Sequence, residues 1–338
     1  MNCYYRNLFR TAIFIVCASI IIGCTSGIPV EIDSLSTPRL PKYWIDQIET
    51  IKDQICQVQN NSSNKQDSFY FITDYHIEDN VGYSHRIIEY LQETIHIKNL
   101  VFGGDIFNNA DEKDTALGYL NEFHNRFSFM NMFGIRGNHD FNVYSGSSPS
   151  VMLSNSDLFK ILVEPVADEV TIGKDSLYYF RDNRSLNLRY IFLDSEKIND
   201  PYKDDQMRWL KDRMTELPNT WSIVIFTHSL FSIKKPKENI HPGYDARGQL
   251  LIDALTSIHP DALLVALISG HCHYDYSTNI HGFWEISTTC DSRQECGGLP
   301  ETLGTTNEQA FDIFTIDLDN KALTATRIGR GNSRKWEY

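Results

Sequence analysis

The sequence predicts an α/β fold, and three observations predict it. Apolar runs of strand length alternate with stretches of helical apolar spacing through the first half of the chain, the rhythm of right-handed βαβ units. The apolar runs close on polar, chemistry-bearing residues, where open α/β sheets place their sites. The chain has 338 residues, 41% of them hydrophobic and 22% charged, an ordinary globular composition long enough for one large α/β domain or two small ones.

The first residues stand apart from that fold. Arg6 and Arg10 precede an uncharged apolar run, Thr11 to Ile22, shorter than the roughly 20 residues needed to span a bilayer and suited to the core of a signal peptide. It ends Ile21-Ile22-Gly23-Cys24, which resembles the bacterial lipoprotein lipobox. That resemblance implies cleavage before Cys24 and lipid on Cys24, placing the chain in a bacterial cell envelope, on the periplasmic or outer surface; an uncleaved anchor and an ordinary secretory cut are the alternatives. Residues 1–23 are then the signal, and 24–42, rich in Ser, Thr, Pro and Gly from Thr25 to Pro41, a tether. One domain, 43–338, follows. Cleavage removes two arginines and no acid, taking the formal net charge from −13 to −15. An acidic surface disfavours a nucleic-acid backbone as partner.

The elements follow in order. Trp44, Ile45, Ile48, Ile51 and Ile55 have helical spacing, so Tyr43 to Ile55 is read as a helix and the polar stretch Gln57 to Gln66 as a loop. Ser68 to Thr73 is a strand ending at Asp74-Tyr75-His76. A helix through Ile87, Ile88 and Leu91 to Ile95 leads to the strand Asn99 to Phe102, which closes on Gly103-Gly104-Asp105-Ile106-Phe107-Asn108-Asn109. A helix over Lys113 to Phe127 leads to a short strand, Asn131 to Ile135, and then Arg136-Gly137-Asn138-His139-Asp140. Asn142 to Pro149 reads as a Ser/Gly-rich rim loop, and Ser154 to Val163 as a capped helix. Leu177 to Phe180 and Leu188 to Leu193 read as a hairpin. An amphipathic helix, Lys203 to Leu217, precedes the strand Ser222 to Phe226, which ends at Thr227-His228. A helix over Ala246 to Ile258 precedes the strand Ala262 to Ile268, ending at Gly270-His271-Cys272-His273. Strands near Gly282 to Thr288 and over Phe311 to Asp317, then a hairpin into Ala322 to Ile328, complete the chain. Cys290 and Cys296 enclose a short polar loop and could pair in an oxidising compartment. Neither GxGxxG nor GxxxxGK[ST] occurs, so nucleotide cradles of those kinds are unsupported.

Five strand ends therefore carry Asp74 and His76, Asp105, Asn138 and His139, His228, and His271 and His273. Singly each has a bland reading: Asp74 and Asp105 could cap the following helices, Asn138 could serve a turn, and a lone histidine after a strand is commonly a hydrogen-bonded rim residue. Jointly they differ, because Asp-x-His and His-x-His place alternate side chains on one side of an extended segment.

These blocks resemble the calcineurin-like metallophosphoesterases, whose ordered pattern is D-x-H, G-D, G-N-H-[DE], a lone H and G-H-x-H. Here they stand as Asp74-Tyr75-His76, Gly104-Asp105, Gly137-Asn138-His139-Asp140, His228 and Gly270-His271-Cys272-His273, over about residues 68 to 275. The resemblance implies a four-layer α-β-β-α sandwich of two mixed sheets, with a dinuclear metal site at the carboxyl ends of the strands. Asp74, His76 and His273 would hold one ion, Asn138, His228 and His271 the other, and Asp105 would bridge them. Carboxylate, imidazole and amide ligands suit Mn, Fe or Zn. Two such ions roughly 3.5–4 Å apart lower the pKa of a bridging water and grip a phosphoryl group for in-line displacement. His139 would protonate the leaving oxygen, with Asp140 accepting its other N–H and fixing the tautomer. Arg136 is a candidate for binding phosphate oxygens, with a structural salt bridge as the alternative. Asn108 and Asn109 are candidates for contact with the substrate. Cys272 is read as packing. The implied activity is metal-dependent hydrolysis of a small phosphoester, first a phosphomonoester, with a diester such as a nucleotide derivative or lipid headgroup as the alternative. A binding protein on a catalytically silent fold would be expected to have lost a ligand, and none is missing.

Overall fold

The computed structural model describes residues 40–143, 148–174, 177–195, 204–218, 220–229, 251, 253, 255, 263–279, 281–292 and 302–338. The signal sequence, Cys24 and most of the tether lie outside the described residues, as do Cys296 and most of the helix expected over 246–258. In chain order the elements are α1 (Lys42–Asn61), β1 (Gln66–Ile72), α2 (Ser84–Gln92), β2 (Asn99–Phe102), α3 (Lys113–Phe127), β3 (Asn131–Gly134) and α4 (Asn155–Leu162). Then come β4 (Thr171–Ile172), β5 (Tyr179–Asn183), β6 (Leu188–Phe192), α5 (Asp204–Thr215), β7 (Ser222–Phe226), β8 (Leu263–Ser269), β9 (Tyr276–Thr278) and β10 (Trp284–Ser287). The tail supplies β11 (Ala310–Asp317), β12 (Ala322–Gly329) and β13 (Arg334–Glu337).

Two mixed sheets result. The first has the order β13-β12-β11-β1-β2-β3, with β1, β2 and β3 parallel and the three tail strands antiparallel beside them. The second has the order β4-β5-β6-β7-β8-β10-β9, with β6, β7, β8 and β10 parallel. Side-chain alternation sets the layers. In β7, Val224 and Phe226 turn inward to the first sheet, whereas Ile223 and Ile225 turn outward to Met207, Leu210 and Met214 of α5. Inner aromatics lock the sheets face to face: Phe69 meets Phe226 edge-on at 5.4 Å between ring centroids, and Phe133 stacks on Phe192 at 5.7 Å. On the outer face of the first sheet, Phe102 packs on Phe123 of α3 at 4.5 Å. The implied four-layer sandwich is thus present.

Several local readings need correction. α1 runs on to Asn61, through residues read as loop; that stretch is polar but contains neither Gly nor Pro, so nothing stops the helix before Ser62. Lys42, assigned to the tether, already opens α1. Trp44 is fully buried and donates its indole N–H to Glu308, tying α1 to the tail. The strand expected over Leu177 to Phe180 is shifted to Tyr179–Asn183. Ser154 caps α4 as expected, through a capping box with Asp157.

Candidate metal centre

The loops that leave β1, β2, β3, β7 and β8 converge at one edge of the sandwich. Two groups of metal-binding character stand there: Asp74, His76 and His273, and Asp105, His228 and His271, with the donor atoms of each group within 4.8 Å of one another. In the first, Nε2 of His273 lies 3.2 Å from Oδ1 of Asp74 and 3.3 Å from Nε2 of His76. In the second, Nε2 of His228 lies 3.2 Å from Oδ2 of Asp105. Oδ1 of Asn138 faces both rings of that group, 2.9 Å from Nε2 of His228 and 2.7 Å from Nδ1 of His271. The seven residues singled out as ligands are therefore together. Neither Asp74 nor Asp105 caps a helix; those positions belong to Tyr83 and Glu112.

Backbone geometry brings them there. The loops after β1 and β2 run side by side, with N–H groups of Asp74, Tyr75, His76 and Ile77 donating to carbonyls of Gly104, Asp105, Asp105 and Ile106 at 2.8, 2.8, 3.2 and 2.9 Å. Five of the seven residues have left-handed backbone: Asp74, His76, Asp105, His271 and His273, with φ between 40° and 64°. That conformation is uncommon outside glycine, Asn, Asp and His being the side chains that tolerate it best. Each such residue reverses the chain locally and turns its side chain into the site. Gly104, at φ +100°, and Gly137 let the loops after β2 and β3 touch: a Cβ on Gly137 would overlap the carboxylate and backbone nitrogen of Asp105.

The residues behind the donors fix their orientation. The Thr73 hydroxyl and the His271 N–H donate to the Asp74 carboxylate. The His139 N–H donates to Oδ1 of Asp105 at 2.9 Å. Nδ1 of His228 bonds the Gly103 carbonyl at 2.8 Å, which puts a proton there and aims Nε2 into the group. Burial works against charge on Asp74, but His273 beside it prevails and holds the carboxyl down at about 2. Asp105 is likewise held well below the usual carboxylate range, with His228 outweighing burial. Burial lowers His76 to about 4, so its ring is neutral at pH 7, the form that ligates a metal. Ionised carboxylates, imidazole nitrogens facing one another and an amide oxygen form a donor set that fits borderline divalent ions.

Three expectations fail on geometry. Asp140 does not orient His139: its buried carboxylate accepts the backbone N–H groups of Asp105, Ile106 and Gly137 at 3.0, 2.7 and 2.7 Å, stitching the two loops together. Burial, then the charge of Asp105, raises it to about 7. His139 is held instead by the Asn108 carbonyl, 2.6 Å from its Nδ1. Arg136 is not available to substrate. It is fully buried, donates to Asp194 at 2.6 Å and lies over the Phe141 ring at 3.8 Å. Asn108 serves the loop: its N–H donates to the Glu78 carboxylate and its side chain reaches Asp79, while Asn109, whose N–H also donates to Glu78, keeps its side chain exposed. Cys272 is buried and packs with Tyr274, and burial raises its thiol to about 12. Sequence reasoning missed Glu78 and Asn142, which brace the loop behind His139; neither belongs to a motif.

The calcineurin-like phosphoesterase family matches residues 68–275. No curated protein matches the sequence significantly. Among solved structures, a dimetal phosphatase from Danio rerio is similar at a TM-score of 0.56 and 13% identity, over 80% of this chain and 99% of that one. The purple acid phosphatase PPD1 of yellow lupin is similar at 0.56 and 12% identity, over 81% and 54%. GAP50, described as the anchor in the inner membrane complex of Plasmodium, is similar at 0.51 and 14% identity, over 80% and 89%. At such identities these likenesses speak for the fold.

Proposed function

The chain belongs to the calcineurin-like phosphoesterase family and is a hydrolase of phosphoester bonds, and on that premise we propose that it cleaves a phosphomonoester at a two-metal site. Asp74, His76 and His273 would hold one ion and Asn138, His228 and His271 the other, with Asp105 shared between them. When bound, such ions supply the positive charge that lowers the pKa of water and takes up charge on phosphoryl oxygens; Mn, Fe and Zn all suit these donors. His139 stands beside His76, ring centroids 5.6 Å apart. With Nδ1 on the Asn108 carbonyl, Nε2 is the nitrogen that gives its proton to the leaving oxygen as the P–O bond breaks.

The observation that supports catalysis over a silent scaffold is the complete donor set, supplied by both sheets and pre-oriented from behind. Fold alone would not support it, since functions vary on one fold. The formal net charge of −13 favours a small ester over a polynucleotide. The test is turnover of p-nitrophenyl phosphate and bis-p-nitrophenyl phosphate by residues 25–338 after chelation and after return of Mn, Zn or Fe, beside His271→Ala. Metal-restored turnover of the monoester, lost in the variant, is expected. Preference for the diester would replace the monoester reading, and no turnover with fewer than two ions bound would sink the enzyme. We further infer, from the sequence around Cys24, a lipid anchor that places the site in the bacterial envelope. Cys24→Ser should move the full chain from membranes to the soluble fraction; a variant that stays on the membrane would overturn the anchor.

A further inference from the structure

The segment 108–110, whose carbonyl at Asn108 holds His139, is gripped from two sides. On one side Glu78, in the turn closed by the Asp79 N–H on the His76 carbonyl at 2.8 Å, presents its carboxylate to two consecutive N–H groups. Both its oxygens lie 3.1 Å from the Asn108 nitrogen, and Oε1 lies 3.3 Å from that of Asn109. On the other side stands Asn142, buried and in left-handed backbone at φ +56°. Its amide oxygen accepts the Ala110 N–H at 2.7 Å, and its amide nitrogen donates to the Ala110 and Val151 carbonyls at 2.9 and 3.0 Å. Asn142 is itself tied to His139, because its N–H donates to the His139 carbonyl at 2.8 Å.

We propose that Glu78 and Asn142 are positioning residues that clamp the Asn108 carbonyl against Nδ1 of His139 and thereby set that ring's tautomer and direction. The inference rests on the acid role given to His139 above. An imidazolium that gives up its Nε2 proton to the leaving oxygen becomes the Nδ1–H tautomer. Nδ1–H is present before and after the transfer, so the Asn108 carbonyl accepts it throughout, and the clamp selects Nε2 as the nitrogen that gives up its proton without touching substrate. Charge-assisted bonds from a carboxylate to backbone N–H groups are strong enough to hold such a loop. Glu78 is exposed and touches neither metal group's donor atoms through its carboxylate, so it can be changed without emptying the centre.

A general acid matters for a poor leaving group and little for a good one. Glu78→Ala should therefore lower kcat on β-glycerophosphate by about tenfold or more while changing p-nitrophenyl phosphate less than about twofold, within the range general acids supply. Glu78→Gln, which keeps an acceptor oxygen, should recover most of the loss. Equal losses on both substrates, or none on either, would overturn the clamp. A second readout needs no turnover: two-bond 1H–15N correlations of the histidine rings in the zinc-loaded protein. The Nδ1–H tautomer of His139 should be uniform in the parent and mixed in Glu78→Ala. An unchanged His139 pattern refutes the clamp even for a protein inactive on both esters, whereas that inactivity with a changed pattern refutes the phosphoester reading alone.

Discussion

At the scale of the residue, the site is assembled from conformations most side chains avoid. Left-handed backbone at Asp74, His76, Asp105, His271 and His273 costs on the order of 1–3 kcal/mol per residue where it is strained. It persists because the loops bind each other through Asp140 and the run of N–H donors after β1. Gly137 makes that contact possible, which leads to a prediction. In Gly137→Ala the new methyl group meets the carboxylate and backbone nitrogen of Asp105, so Asp105 must move. A displacement near 1 Å in such a site costs about a hundredfold in rate. Turnover of p-nitrophenyl phosphate should fall by about that factor and bound metal to below two ions, as metal analysis would show; parent-like turnover with two ions would refute the contact. The donors themselves were legible because they stand in ordered blocks at strand ends, although the extended segments expected for Asp-x-His and His-x-His are in fact left-handed turns. The role of Asp140 was not, because it depends on where backbone N–H groups lie; for Arg136 the structural salt bridge was the alternative reading, and only its partner Asp194 was hidden, since no spacing reports it.

At the scale of the element, the parallel strands were legible because burial on both faces leaves an unbroken apolar run, as in Ser222–Phe226. The short edge strands β4, β9 and β13 escaped notice because two to four residues carry no periodicity. Polar residues inside strands escaped too, and Glu285 in β10 is the most consequential. It is 1% exposed, and neither carboxylate oxygen has a hydrogen-bond partner among the described residues. Its face of β10 is shared with Phe283 and faces Leu267 across the ladder. Burial alone pushes its carboxyl from 4.5 up to about 7. The folded protein thus holds that proton more tightly than the unfolded chain. Stability from this group is complete below pH 4.5 and drains away as pH rises to about 7, by about 3 kcal/mol at about 1.4 kcal/mol per pH unit. Glu285→Gln removes the titration. The drop in urea-unfolding stability between pH 5 and pH 8 should therefore shrink by about that amount in the variant, apart from other groups common to both proteins. An unchanged drop would mean that Glu285 stays ionised in the folded state.

At the scale of the whole molecule, the metal groups do more than chemistry. Asp74, His76, Asp105 and Asn138 leave strands of the first sheet, while His228, His271 and His273 leave strands of the second, so each group draws donors from both. The apolar seam between the sheets, from Phe69 against Phe226 to Phe133 against Phe192, is closed at one edge by these donor groups. Charges gathered there without ions are costly, because Asp74 and Asp105 are buried and repel each other. Ions present at a hundred times their dissociation constant stabilise the folded state by about 2.7 kcal/mol per site, hence about 5 kcal/mol for two. For a domain of this size each kcal/mol is worth roughly 2–4 °C. Chelation should therefore lower the melting temperature by about 10 °C or more, and returning zinc should restore it. The loss should also have a direction. Amide exchange should quicken at the carboxyl ends of β1, β7 and β8, where ligands tie one sheet to the other. It should change little in β12 and β13, which are held by the tail ladder, with Gly329 of β12 donating its N–H to Gln47 of α1. Uniform quickening across both sheets would mean that ions stabilise the fold only as bound ligands. An unchanged melting temperature would mean that the two sheets hold this edge closed by themselves.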